Sequence, residues 1–263
     1  MKTRRSLFSV LITLALLLLT GFYVILLGYT YWQYHPTALW ELIATREIRH
    51  AIGLSVVCAT IATGIALFIA IPASYVLSRK NFPGKIFLDT LLDIPVFVSP
   101  VAIGALLLVF FTSPLSKHFQ ENFFPIVFAV PGIVIAQFTV IAGLAARMMK
   151  STFDQIPSRY EEVARTLGCS PVQAFRNVTL PLAKNGFLAA AVISWARAIG
   201  EFGATITLVG AAAMKTETIP TAVYLSFASA DIDRALTMVA ILILTALSGL
   251  FIIRFIAGKE VRF

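Results

Sequence analysis

Long apolar stretches alternate with short polar segments along the whole chain. Six of the stretches, at about 7–31, 51–77, 86–111, 125–146, 187–213 and 235–256, are long enough to cross a bilayer, because roughly 20 mostly apolar residues span its hydrocarbon core. The runs are continuous, which predicts helices; barrel strands would alternate in short segments. The first run is too long for a signal-peptide core and no small-x-small cleavage site follows it, so it reads as a retained span. Pro95, Pro100 and Gly104 interrupt the third run, and Pro125 and Pro131-Gly132 the fourth. Two readings of these breaks stay open: static kinks, or hinges and pathway lining. With no internal repeat and no low-complexity segment, residues 1–263 are expected to form one helical membrane domain.

The longest polar segment, 150–184, holds two consecutive helix-start signals. Ser158 with Glu161, and Ser170 with Gln173, each have the spacing of a capping box, in which the two side chains satisfy each other's orphan amides. Pro171 occupies a first helical position, where proline fits. Gly168 supplies a left-handed stop for the first helix, and Pro181 is expected to end the second near Leu180. Tyr160, Val163, Ala164 and Leu167 follow spacings of three and four and are expected to share one apolar face. Lipid has no need of so short an amphipathic helix, whereas a soluble partner docking from the cytoplasm does.

Composition reinforces the membrane assignment. The chain is 59% hydrophobic and 13% charged, against roughly 25% charged residues in a soluble domain. The net charge of +8 does not form a nucleic-acid patch, because the bases cluster between the apolar runs. One side would carry Lys2, Arg4, Arg5, Arg79, Lys80, Lys85, Arg147, Lys150, Arg159, Arg165, Arg176, Lys184, Arg254, Lys259 and Arg262. The other would carry Arg46, Arg49, Lys117, Lys215 and Arg234. By the positive-inside rule both termini are cytoplasmic. Arg197 alone falls inside a span, four residues from Glu201 and so within reach of it on one helix face. The two cysteines, Cys58 and Cys169, read as packing residues.

The polar segment carries a resemblance. Glu162-Val163-Ala164, Gly168 and Val178-Thr179-Leu180-Pro181 reproduce, spacer by spacer, the E-A-A…G…I-x-L-P signature of permeases of ATP-binding-cassette (ABC) importers. Val163 and Val178 are mild departures. The resemblance implies an all-α type I importer domain of about six spans, with a cytoplasmic coupling helix in a loop at about 150–185. Glu162, Val163, Ala164, Gly168, Leu180 and Pro181 would meet an ATP-binding subunit, with Ala164 and Gly168 allowing close approach. It further implies a second copy of the chain, two ATP-binding-cassette subunits, an extracytoplasmic substrate-binding protein and the cytoplasmic membrane of a prokaryote. The chain has no phosphate-binding loop, so ATP and Mg would bind the partner, with no cofactor and no metal on this chain.

A second resemblance covers SWARAIGEFGATITLVG, residues 194–210, and TETIPTAVY, residues 216–224. It is similar to permeases for sulfate, molybdate and tungstate, and the second string leans towards the molybdate/tungstate branch. The pathway candidates are Ser194, Arg197, Gly200, Glu201 and Gly203. Two roles stay open for Arg197, a positive field for a passing dianion and a structural ion pair with Glu201. Sulfate or thiosulfate is the alternative cargo. A stand-alone secondary transporter would need intramembrane carboxylates or histidines. Asp89, Asp93 and Glu201 are a thin set, and His35, His50 and His118 lie at or beyond the far edge. Neither H-E-x-x-H nor G-x-S-x-G is present, so no catalytic residues are assigned.

Overall fold

A computed structural model describes residues 7–33 and 43–257. Lys2, Arg4, Arg5, His35, Lys259 and Arg262 lie outside the described residues. Every regular element among those described is helical. The long helices are α1 (Leu7–Gln33), α2 (Arg46–Arg79), α7 (Val130–Asp154) and α14 (Ile232–Ala257). Between α2 and α7 lie α3 (Lys85–Leu91), α4 (Ile94–Phe97), α5 (Pro100–Thr112) and α6 (Pro114–Asn122). After α7 come α8 (Arg159–Thr166), α9 (Pro171–Ala174), a π-helical turn (Phe175–Thr179) and α10 (Leu180–Leu182). The chain then forms α11 (Lys184–Ile199), α12 (Gly203–Val209) and α13 (Ile219–Ala228).

Among the described residues four helices are long and apolar enough to cross a membrane, and two bent pairs bring the number to as many as six. The third apolar run is one of those pairs. It turns by 110° between Lys85–Phe97 and Pro100–Thr112, so a straight third span is not what forms. The break itself is local: the residue before a proline is driven out of the helical region, and Ser99 is extended, with its hydroxyl accepting from the Ala102 amide to start α5 afresh. The fourth run starts later than expected, at Val130, and stays helical through Asp154. The fifth is split at Gly200–Phe202 into α11 and α12.

The core forms where small side chains let backbones approach, the usual solution when lipid supplies no hydrophobic drive between helices. Ala59, Ala62, Ala66 and Ala70 line one face of α2, and Ile141, Ala145, Met149 and Phe153 of α7 pack against it with Ala190 and Ala198 of α11. Ser74 donates to the Ala146 carbonyl at 2.6 Å, pinning α2 to α7. A second cluster joins α5, α7 and α12 through Ile103, Ile133, Ala136, Ala204 and Leu208.

The ion pairs sort by end. Near the end of α7, Lys150 meets Asp89 at 3.3 Å and Arg147 pairs with Asp93. At the opposite end of α2, Arg234 approaches Glu47. This agrees with the two sides read from the basic residues. Cys58 is buried, Cys169 is partly exposed, and both are free thiols.

Candidate functional site

The loop after α7 folds back against the end of α2, and its first helix forms as expected. Gly168 takes a left-handed φ of 93°. Cys169 N–H then reaches the Ala164 carbonyl and Gly168 N–H the Arg165 carbonyl, the double closure of a Schellman stop. The second capping box is present, with Ser170 N–H donating to Gln173 Oε1 at 2.8 Å and Gln173 N–H to Ser170 Oγ at 3.3 Å.

The first capping box is not. Ser158 is itself helical and caps nothing with its side chain; its hydroxyl donates to Glu162 at 3.1 Å. Glu161 has turned inward instead. Its Oε1 accepts from Arg79 Nε at 2.9 Å and Thr179 Oγ1 at 2.7 Å, and its Oε2 from the Tyr75 hydroxyl at 2.6 Å. Three donors, one of them charged, outcompete one exposed backbone amide. Burial alone would raise the Glu161 pKa, but the bonds from Tyr75, Thr179 and Arg79, with the Arg79 charge, hold it below the ordinary glutamate value. Arg79 also donates to the Phe153 carbonyl at the end of α7 and to the Ile156 carbonyl just beyond it, at 2.9 and 2.8 Å.

The inward turn of Glu161 divides the helix differently from the sequence reading. Ala164 lies on the inner side with Glu161 and is 8% exposed, so it does not belong to the outer face. That face is Tyr160, Val163 and Leu167, at 55%, 52% and 81% exposure. Glu162 and Gly168 are exposed as well. Pro181 does not stop the second helix. The π turn carries the chain past it, with Leu180 N–H reaching back five residues to Phe175, and Leu180 and Pro181 lie exposed in α10. Between the end of α2 and the loop lies a cavity of about 710 Å³ whose lining includes Ile71, Tyr75, Arg79, Glu161, Arg165 and Phe175.

The second candidate cluster sits where the fifth run breaks. Gly200 ends α11. Glu201 is 1% exposed; it receives Arg197 Nη1 at 2.6 Å and the Ala204 amide at 2.9 Å, so it also starts α12. The Arg197 side chain stays 39% exposed. Gly203 is a close-packing residue, since a Cβ there would stand 2.9 Å from the Val101 nitrogen, whereas at Gly200 the nearest atom is 3.7 Å away. The buried Ser194 hydroxyl has no partner among the described residues. Phe202, in the break, lies with its ring 5.0 Å from that of Tyr224.

The string at 216–224 builds α13, which hydropathy did not reveal. Ala212 N–H donates to Thr216 Oγ1, Thr218 N–H to Thr221 Oγ1, and Ile219 N–H to Ser55 Oγ on α2. Residues 216–222 are all buried, and Tyr224 is half exposed. Glu217, just before α13, has its pKa raised: burial dominates, Glu47 adds to it, and Arg234 and His50 oppose it. Among the described residues no group of three or more His, Cys, Asp or Glu side chains is placed to hold a metal. The inward Tyr75–Arg79–Glu161–Thr179 cluster was missed from the sequence. Its one signal was an arginine ending a span, paired in composition with two acids opening the next polar helix.

Residues 62–259 match the family of binding-protein-dependent transport system inner membrane components. A probable molybdenum ABC transporter permease protein of Haloferax volcanii is 33% identical over 241 residues, 90% of this chain and 87% of the relative. The sulfate transport system permease protein CysW of Escherichia coli is 36% identical over 212 residues, 80% of this chain and 73% of the relative. The fold is also that of a bacterial alginate ABC transporter, solved in complex with an alginate pentasaccharide-bound periplasmic protein. The TM-score is 0.76 at 17% identity, over 98% of both chains.

Proposed function

The chain belongs to the binding-protein-dependent transport system inner membrane components, the multi-pass, non-enzymatic permease subunits of ABC importers, and on that premise we propose that it imports a tetrahedral oxyanion, molybdate or tungstate, by ATP-driven alternating access. Two copies form the pathway, two ATP-binding-cassette subunits dock from the cytoplasm with their ATP and Mg, and an extracytoplasmic binding protein delivers the anion.

The observation that carries this reading is the outer face of α8. Three apolar side chains, Tyr160, Val163 and Leu167, stand more than half exposed on a short helix at the end of the bundle that holds Arg79 and Lys150. A soluble subunit seated there buries them, with Glu162, Gly168, Leu180 and Pro181 at its edge and Ala164 behind, setting the helix against its own chain. Closure of the ATP-binding subunits displaces this loop and turns the pathway outward; hydrolysis resets it.

Arg197 provides the field for the cargo. An exposed guanidinium within a span faces water or a second copy in preference to lipid. Glu201 holds one of its nitrogens and lessens its grip, so a dianion is attracted without being trapped. Gly200 leaves the break unobstructed, Gly203 sets α12 against α5, and Ser194 offers an unpartnered hydroxyl. The lean to molybdate or tungstate rests on the string at 216–224 and on the Haloferax relative. Sulfate is the second reading, favoured by the similarity to CysW.

The test is uptake of labelled tungstate into proteoliposomes holding the complete importer, with sulfate in large excess. Uptake that resists sulfate supports the molybdate/tungstate reading. Uptake that sulfate abolishes moves the cargo to sulfate and leaves the importer reading standing.

A further inference from the structure

The π turn rests on α2 through an aromatic contact, with the Phe175 ring 4.6 Å from that of Tyr75, whereas open volume separates α8 from α2. The cavity of about 710 Å³ lies between them, and a displaced α8 has empty volume to move into. Hydrogen bonds join α8 to α2 beside that cavity: Glu161 of α8 accepts from Tyr75 and Arg79 of α2. Arg79 continues the connection to the end of α7 through the Phe153 and Ile156 carbonyls. Thr179 attaches the π turn to the same carboxylate. One carboxylate therefore gathers α2, α8 and the π turn, and one guanidinium passes the link to α7.

We infer that Glu161 and Arg79 are the positioning pair that makes the docking helix move as one body with α2 and α7, so that displacement by the ATP-binding subunit reaches the membrane helices. The inference rests on the proposed docking of α8. Neither residue touches cargo or nucleotide. The docking face points outward from the opposite side of the same helix, so the two functions separate: Tyr160, Val163 and Leu167 bind the partner, while Glu161 carries its motion inward. Side chains that were only structural would affect how much importer assembles. A strut also sets how many ions move for each ATP hydrolysed.

The deciding measurement is oxyanions transported per ATP hydrolysed, in proteoliposomes, with co-purification of the ATP-binding subunit followed in parallel. Glu161→Gln is expected to keep the subunit and lower the ratio about tenfold, within the usual span of coupling energies. Tyr75→Phe, which removes one hydrogen bond, is expected to lower it a few-fold. The exchange Arg79→Glu with Glu161→Arg should restore part of the loss. A wild-type ratio in Glu161→Gln overturns the inference, as does a loss of uptake matched by an equal loss of ATP hydrolysis. If Glu161→Gln does not assemble, Tyr75→Phe decides, and an unchanged ratio there overturns it. Val163→Asp separates this from the docking reading, because it should lose the ATP-binding subunit altogether. Retention of that subunit by Val163→Asp contradicts the docking itself.

Discussion

Arg197 and Glu201 form a lopsided pair: Nη1 lies 2.6 Å from Oε2, yet the arginine side chain is 39% exposed and the glutamate 1%. The lopsidedness decides which substitution does more harm. Arg197→Met strands a buried carboxylate and is expected to cost about 3 kcal/mol. Glu201→Gln leaves an arginine that can reach water and keeps an acceptor for the Ala204 amide, so it should cost only about 1 kcal/mol. The double variant should fall between them. Thermal unfolding midpoints in detergent measure all three, and equal losses in the two single variants contradict the account.

Glu161 gives acid sensitivity. Its folded pKa is held down, so its stabilisation is fully present above its unfolded value, about 4.3, and is lost as pH falls through the lower folded value. Unfolding midpoints measured from pH 6 downward should fall more steeply in the wild type than in Glu161→Gln. At pH 7 the variant should be less stable by about 3 kcal/mol, the usual consequence of leaving a buried partner unpaired.

Glu217 has the opposite sign. Its folded pKa is raised, so its favourable contribution is present below the unfolded value and is lost as pH rises through the folded one. Glu217→Gln should therefore raise the unfolding midpoint at pH 7, by roughly 2–4 °C, and leave it nearly unchanged at pH 4. A lowered midpoint at pH 7 would show that the carboxylate is satisfied by a contact that the glutamine cannot make.

The two glycines flanking Glu201 differ in consequence. Gly203→Ala drives a methyl to 2.9 Å from the Val101 nitrogen and 3.0 Å from Pro100 Cβ, an overpacking expected to cost about 1–3 kcal/mol. Gly200→Ala meets ordinary contact distances and should stay within about 0.5 kcal/mol. Expression level and unfolding midpoint rank the two.

The spans were legible because hydropathy acts over 20 residues and no tertiary contact can hide it. Gly168 and the Ser170–Gln173 box were legible because caps are local. Glu161 was not, since the spacing Ser158…Glu161 satisfies a local rule, and only the arrival of Arg79 and Tyr75 from a distant helix overrides it. Ala164 turned inward for the same reason, one helical turn from the anchored carboxylate. The proline breaks were visible in the third run, but not the 110° turn, which needs the packing of α5 on α12. The short α13 escaped because its 10 residues are too few to span, and its support comes from other helices: Ser55 of α2 accepts from the Ile219 amide, and Ile219 and Ala222 pack with Met238 and Ile241 of α14.

On the proposed function, the outer face of α8 couples this permease to an ATP-hydrolysing subunit. The most direct measurement is ATP-dependent tungstate uptake by proteoliposomes holding the permease, ATP-binding subunit and binding protein, compared with the same system carrying Leu167→Asp. Uptake should require ATP and fall at least tenfold in the variant, because a charge in a desolvated docking face weakens binding by several kcal/mol. Uptake without ATP, or uptake indifferent to Leu167→Asp, would contradict it.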